Sequence, residues 1–101
     1  MDVQAYALDQ YNLVGMNVSV TGTPACLELE QCYLYAGSGS TLRPMVSVMF
    51  DASSLSKEDR RRLLHADPFS NPETATITFL APSGMFTASM VTSISWAPPT
   101  G

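Results

Sequence analysis

Two alternating segments near the C-terminal end constrain this chain most tightly. Thr74-Ala-Thr-Ile-Thr-Phe-Leu-Ala81 sets threonine against apolar residues, Pro82-Ser-Gly84 interrupts, and Phe86 to Trp96 alternates again. A period of two sends successive side chains to opposite faces, so both segments are expected as strands of one hairpin, each with one buried face. At 101 residues the chain has room for a single domain with one modest core.

The same reading extends upstream. Leu13 to Val20 is expected as a strand with Val14, Met16, Val18 and Val20 on one face, and Gly22-Thr-Pro24 breaks it. Cys26 to Ala36 is the next strand, with Leu27, Leu29, Tyr33 and Tyr35 facing away from Glu28, Glu30 and Cys32. Gly37-Ser-Gly-Ser40 reads as a connecting loop, since it lacks the spacing and the lysine of a phosphate cradle. Met45 to Phe50 is a third strand with Val46, Val48 and Phe50 inward, which leaves Met45 and Met49 on its other face. If that strand is buried on both faces, the domain or an assembly must cover the methionines. Met1 to Gln10 has no firm period and is expected as an arm or a short first strand. Pro98-Pro-Thr-Gly101 is expected as a rigid tail.

One helix interrupts the strands, at about residues 55–66. Ser56 is placed to cap it, Glu58 and Asp59 fill the first turn, and arginines follow, an order that suits the helix dipole. Asp67-Pro68 ends it, because proline disfavours helical geometry in the residue before it. The expected fold is therefore mainly β, a two-sheet β-sandwich or half-barrel with one short surface helix.

Composition narrows the function. Charged residues make up 14% of the chain, where about a quarter is usual. Much of the surface is then Ser and Thr, which suits a chain that buries its flanks against partners. A net charge of −4 argues against a nucleic-acid binder that tracks phosphates. No apolar run approaches the roughly 18 residues of a membrane span, and no basic region leads into an apolar core, so no secretory signal is expected. On one strand, Cys26 and Cys32 would stand about 20 Å apart at ~3.3 Å per residue, beyond disulfide reach. Free thiols in a reducing cytoplasm are expected unless the strand bends sharply or pairs with another chain.

Catalytic residues are not expected. His65, the one histidine, sits at the end of the helix, where it suits the terminal carbonyls better than a nucleophilic triad. Cys26, Cys32 and His65 are too few for zinc, and Glu28 and Glu30 read as the wet side of a strand rather than an acid–base pair. No cofactor and no small-molecule substrate is implied. Arg60, Arg61 and Arg62 spread over about 200° of the helix at ~100° per residue, so they form either a solvated face or a subunit contact. Tyr33, Tyr35 and Trp96 suit the core face of a sheet better than a platform for bases or sugars. The expected subunit interface consists of Arg60, Arg61, Arg62, Met45 and Met49.

From Asp51 onward the layout resembles the C-terminal part of phage tail-tube proteins. The matching stretches are Ser54-Leu-Ser-Lys-Glu-Asp-Arg-Arg-Arg-Leu-Leu64, Ala75-Thr-Ile-Thr-Phe-Leu-Ala-Pro-Ser-Gly84 and Phe86-Thr-Ala-Ser-Met-Val-Thr-Ser-Ile-Ser95. The resemblance implies sheets that join neighbouring subunits in a ring, with other virion proteins as partners, in a particle assembled in the host cytoplasm. The chain is short for a tube subunit, which leaves room for a related neck, tail-terminator, baseplate or decoration protein of the same virion. Gln10-Tyr-Asn-Leu-Val-Gly-Met-Asn-Val18 is similar in shape to the nucleotide-binding turn of PilZ domains. No Arg-x-x-x-Arg pair precedes it, so cyclic di-GMP binding is not implied. A small phage-encoded inhibitor of a host complex is the remaining alternative.

Overall fold

The computed structural model describes residues 1–37, 39–83 and 88–97. The expected tail at 98–101 and the Gly84 and Phe86 ends of the expected hairpin lie outside the described residues. The two alternating segments form β4 (Ala75–Leu80) and β5 (Ser89–Trp96), paired antiparallel with Ile77 opposite Ile94. Ala75, Ile77 and Phe79 are buried. The threonines between them face outward and meet β1 (Asn17–Glu28), where Ser19 and Thr78 share a hydroxyl hydrogen bond of 2.8 Å and Thr21 and Thr76 one of 2.6 Å. Alternation in the sequence is thus a buried apolar row backed by a hydroxyl ladder.

β1 changes partner midway. Up to Gly22 it pairs with β4, and from Thr23 with β2 (Gln31–Ala36). A Cβ at Gly22 would lie 2.6 Å from the Tyr35 carbonyl oxygen and 2.8 Å from Val3 Cγ2, so only glycine fits this close approach. The expected break at Gly22-Thr-Pro24 is instead the point where one continuous strand switches sheets. A short 3-10 turn, Gly39–Thr41, precedes β3 (Arg43–Asp51), which pairs antiparallel with β2. β3 then meets β5 in parallel at Phe50–Ser89 and Asp51–Met90.

The strand order β1-β2-β3-β5-β4 closes a barrel. Five strands in this order, with a helix between the third and fourth, give the Greek-key barrel topology of the OB-fold. The mainly β class is as expected, and the two expected sheets share β1 and close on one another. Val18, Val20, Leu34, Val48, Phe50, Ile77, Phe79 and Val91 fill the interior.

α2 (Lys57–His65) is the expected helix. The Asp59 amide donates to Ser56 Oγ at 3.2 Å, and Leu63 is fully buried. The N-terminal segment departs from expectation, because 3–13 is neither arm nor strand but the helix α1 (Val3–Leu13). The Asp2 carboxylate accepts from the Ala5 amide at 2.7 Å, and Gly15, at φ 82°, ends the helix in the left-handed region. Val3 and Tyr6 enter the core, with the Tyr6 ring edge-on to Phe79 at 5.5 Å. Leu8 and Tyr11 face solvent, so apolar residues circle the helix and no stripe marks it in the sequence. Val14 and Met16, expected on a buried strand face, lie exposed in the turn after α1.

The cysteines also correct the sequence reading. The chain turns between Glu28 and Gln31, which makes Cys26 and Cys32 directly opposed partners on β1 and β2. Their Cα atoms are 4.0 Å apart and the sulfurs are bonded. The expectation of free thiols assumed one strand through both residues. A sharp turn replaces that strand, and with it the argument for a reducing compartment falls.

Candidate docking face

The outside of the barrel has two unlike halves. Around β4 it carries the hydroxyl ladder. Around β2 and β3 it is apolar and aromatic. Cross-strand pairing sets its outward rows: Ala25 beside Tyr33 beside Met49, and Tyr35 beside Ser47, with Thr23, the Tyr35 partner on β1, buried. Tyr33 and Tyr35 stack with ring centroids 6.1 Å apart and planes 15° from parallel, and Gln31 Nε2 donates to the Tyr33 hydroxyl at 2.9 Å. Cys32, Leu34 and Ala36 point inward from the same strand. The tyrosines were expected in the core. A narrow barrel accepts the three smaller side chains, and the two large rings with hydroxyl tips stay outside.

Two shallow clefts flank this tyrosine ridge. One, of about 390 Å³, lies between α1 and β3 and is lined by Ala7, Gln10, Tyr33, Met45, Val46 and Met49, among others. The other, of about 200 Å³, lies between β1 and the segment after α2, with Leu27, Tyr33, Tyr35 and Pro68 on its walls. Met45 is 96% exposed and Leu27 77%. Among residues 17–51, Arg43 is the single cation, and it stands at the start of β3. The disulfide ties β1 to β2 just below the hairpin turn, and the Ala52 amide holds that turn through the Leu29 carbonyl at 2.8 Å. The face is therefore preorganised rather than loose.

The five residues expected at a subunit interface divide between two elements. Met45 and Met49 belong to this face. Arg60, Arg61 and Arg62 lie on α2 and differ from one another. Arg62 donates from Nε and Nη2 to the two Glu73 carboxylate oxygens, both at 2.7 Å, and its guanidinium lies 4.3 Å from the Trp96 ring centroid. Trp96 Nε1 in turn donates to Asp59 Oδ1 at 3.0 Å. The paired guanidinium holds the Glu73 carboxyl below its ordinary value. Arg60 is half-buried, with no partner for its Nε among the described residues, and Arg61 is exposed. Arg62 thus serves as an internal clasp between α2, β5 and the approach to β4.

Sequence reasoning missed Phe69. It is 81% exposed, in the loop between α2 and β4. Its one signal was an aromatic residue standing alone between Pro68 and Pro72. Among the described residues, no group of three or more His, Cys, Asp or Glu side chains comes together as metal ligands. Comparison of the chain with protein-family models, with curated proteins and with solved structures found no match.

Proposed function

We propose that this chain is a non-catalytic assembly module that associates through the β1–β2–β3 face. The setting we propose is the virion of a tailed phage, where it would serve as a neck, tail, baseplate or decoration component. The observation that carries the reading is the division of the barrel exterior. Tyr33, Tyr35, Met45 and Leu27 gather on one side, while the β1–β4 side carries paired hydroxyls. Contiguous exposed apolar surface of this kind marks interaction sites, and tyrosine and methionine are enriched at interface cores where charged residues are depleted. The disulfide suits a particle that must persist outside the cell. The phage setting itself rests on the layout from Asp51 to Ser95.

A second reading has one specific observation behind it. Barrels of this topology bind oligonucleotides on the corresponding face, and stacked tyrosines offer platforms for bases. Charge weighs against it, because strand tracking needs a basic groove and this face has Arg43 alone.

Light scattering over a protein concentration series separates the readings, with single-stranded oligonucleotides titrated in parallel and followed by fluorescence anisotropy. Assembly without ligand is expected, together with flat anisotropy at physiological salt. A constant monomer mass with rising anisotropy would replace the assembly reading with the oligonucleotide one. A constant monomer mass with flat anisotropy would favour an inhibitor that docks a host protein on the same face.

A further inference from the structure

The loop that carries Phe69 is unusually well fixed for a surface connection. Asp67 Oδ1 accepts from the Phe69 and Ser70 amides at 2.8 and 2.9 Å. Asp67 and Asn71 exchange backbone hydrogen bonds of 3.1 and 3.0 Å, and Asn71 Nδ2 donates to the His65 carbonyl at 3.1 Å. Buried Ala66 roots the loop at one end. A single exposed apolar side chain is ordinary on a protein surface. A phenylalanine carried on a loop fixed by five such bonds has less backbone freedom left for docking to take, which favours an interface anchor.

A fitting receptor lies elsewhere on the same chain. The cleft of about 390 Å³ between α1 and β3 is walled by Tyr33, Met45, Val46 and Met49, and Phe69 is not among its lining residues. Its volume is in the range of clefts that enclose small ligands, about 300 Å³ and upward. Methionines adapt to an incoming ring and make favourable sulfur–aromatic contacts, and Tyr33 offers an edge-to-face partner. Opposite charges stand near the knob and the β3 side of the cleft. Asp67 stands beside Phe69, and exposed Arg43 stands two residues before Met45. The Ser70 and Phe69 amides that donate to Asp67 hold its carboxyl below the usual aspartate value.

We infer that the partner of this face is a second copy of the chain, bound head to tail, with the Phe69 loop of one copy seated in the α1–β3 cleft of the next. The contact deepens the assembly reading above and rests on it. Taken head to tail the contact is heterologous and propagates into a ring or a filament, whereas the same knob and cleft exchanged reciprocally would stop at a two-fold dimer. A wild type that grows no further than a dimer would therefore overturn the head-to-tail arrangement.

Two variants test it. Phe69→Ala removes the knob, and Met45→Glu blocks the cleft at a residue exposed enough to leave the fold intact, which far-UV circular dichroism and melting would verify. Each variant alone is expected to lose about thirtyfold or more in association, the scale of a hot-spot truncation. An equimolar mixture is expected to recover a dimer that grows no further, since the mixture retains one good knob and one good cleft. Variants that assemble like the wild type would overturn the Phe69 contact while leaving self-assembly standing. A mixture that stays monomeric would also overturn it, because a head-to-tail contact requires complementation. A wild type that is monomeric at every concentration would overturn self-assembly itself, and this contact with it.

Discussion

At the scale of single residues, the most telling group is the clasp of Asp59, Arg62, Glu73 and Trp96. Arg62 is 42% exposed, so solvent screens the pair and its ion-pair worth is under about 1 kcal/mol. Its pH dependence has a definite sign. Arg62 lowers the Glu73 pKa from an ordinary value of 4.5, so the native state favours the ionised form. The stabilisation is complete above the unfolded-state pKa and is lost as pH falls through the lowered one. Melting temperature is expected to fall as pH drops below about 4.5, and Glu73→Gln should reduce that fall. An identical pH profile in the variant would remove Glu73 from the account. Asp67 contributes in the same direction through its loop hydrogen bonds, so Glu73→Gln reduces the fall without abolishing it. Trp96 was legible as a residue with an inward role, and its structure refines the expected cost of losing it. Full burial would make Trp→Ala cost about 3–5 kcal/mol; half-buried Trp96 is expected to lose about 2 kcal/mol, read from the shift in urea midpoint. An unchanged midpoint would show that the clasp holds nothing.

At the scale of elements, glycine and cysteine decide what the strands do. Gly22→Ala would press a methyl group against the Tyr35 carbonyl at the bend of β1, and a loss of about 1–3 kcal/mol is expected from such overpacking. A variant as stable as the wild type would mean that the bend relaxes freely. Reducing the Cys26–Cys32 disulfide is expected to cost about 2 kcal/mol, the low end for a short loop. Thiol titration of the unfolded, unreduced protein should find no free thiol; two free thiols would contradict the cross-strand bond. These same positions mark where the sequence was readable. β4, β5, β3 and α2 were legible because each carries a clean period and local punctuation, Ser56 before α2 and Asp67-Pro68 after it. α1 was not, because Leu8 and Tyr11 blur its apolar stripe, although Asp2 and Gly15 were both placed to cap it. The β1–β2 turn was missed because Glu28-Leu-Glu30 continues the alternation straight through it. That one error hid the disulfide. The candidate docking face was half legible: Met45 and Met49 were placed away from Val46, Val48 and Phe50 by their parity on β3, while Tyr33 and Tyr35 were assigned inward because alternation alone does not say which face of a strand is wet.

At the scale of the whole molecule, charge is segregated along the chain. Lys57 and Arg60 to Arg62 lie on α2 with Glu58 and Asp59, a local charge of +2, so the other residues carry −6 of the total −4. The β2–β3 part of the candidate docking face belongs to neither pole, since Arg43 is the one charged residue between Gln31 and Phe50. Association through it is therefore expected to be driven by apolar burial and to resist moderate salt, whereas contacts between exposed charges weaken over a Debye length of about 8–10 Å. The most direct test of the central claim is the rate of methionine oxidation by dilute peroxide, resolved residue by residue by mass spectrometry at low and high protein concentration. Met45 is 96% exposed in the single chain, and Met16 and Met90, both about half exposed, serve as internal references. The account predicts that Met45 oxidises fastest when the protein is dilute and becomes protected when it is concentrated, while Met16 and Met90 keep their rates. Met45 oxidation that is equally fast at both concentrations would contradict assembly through this face.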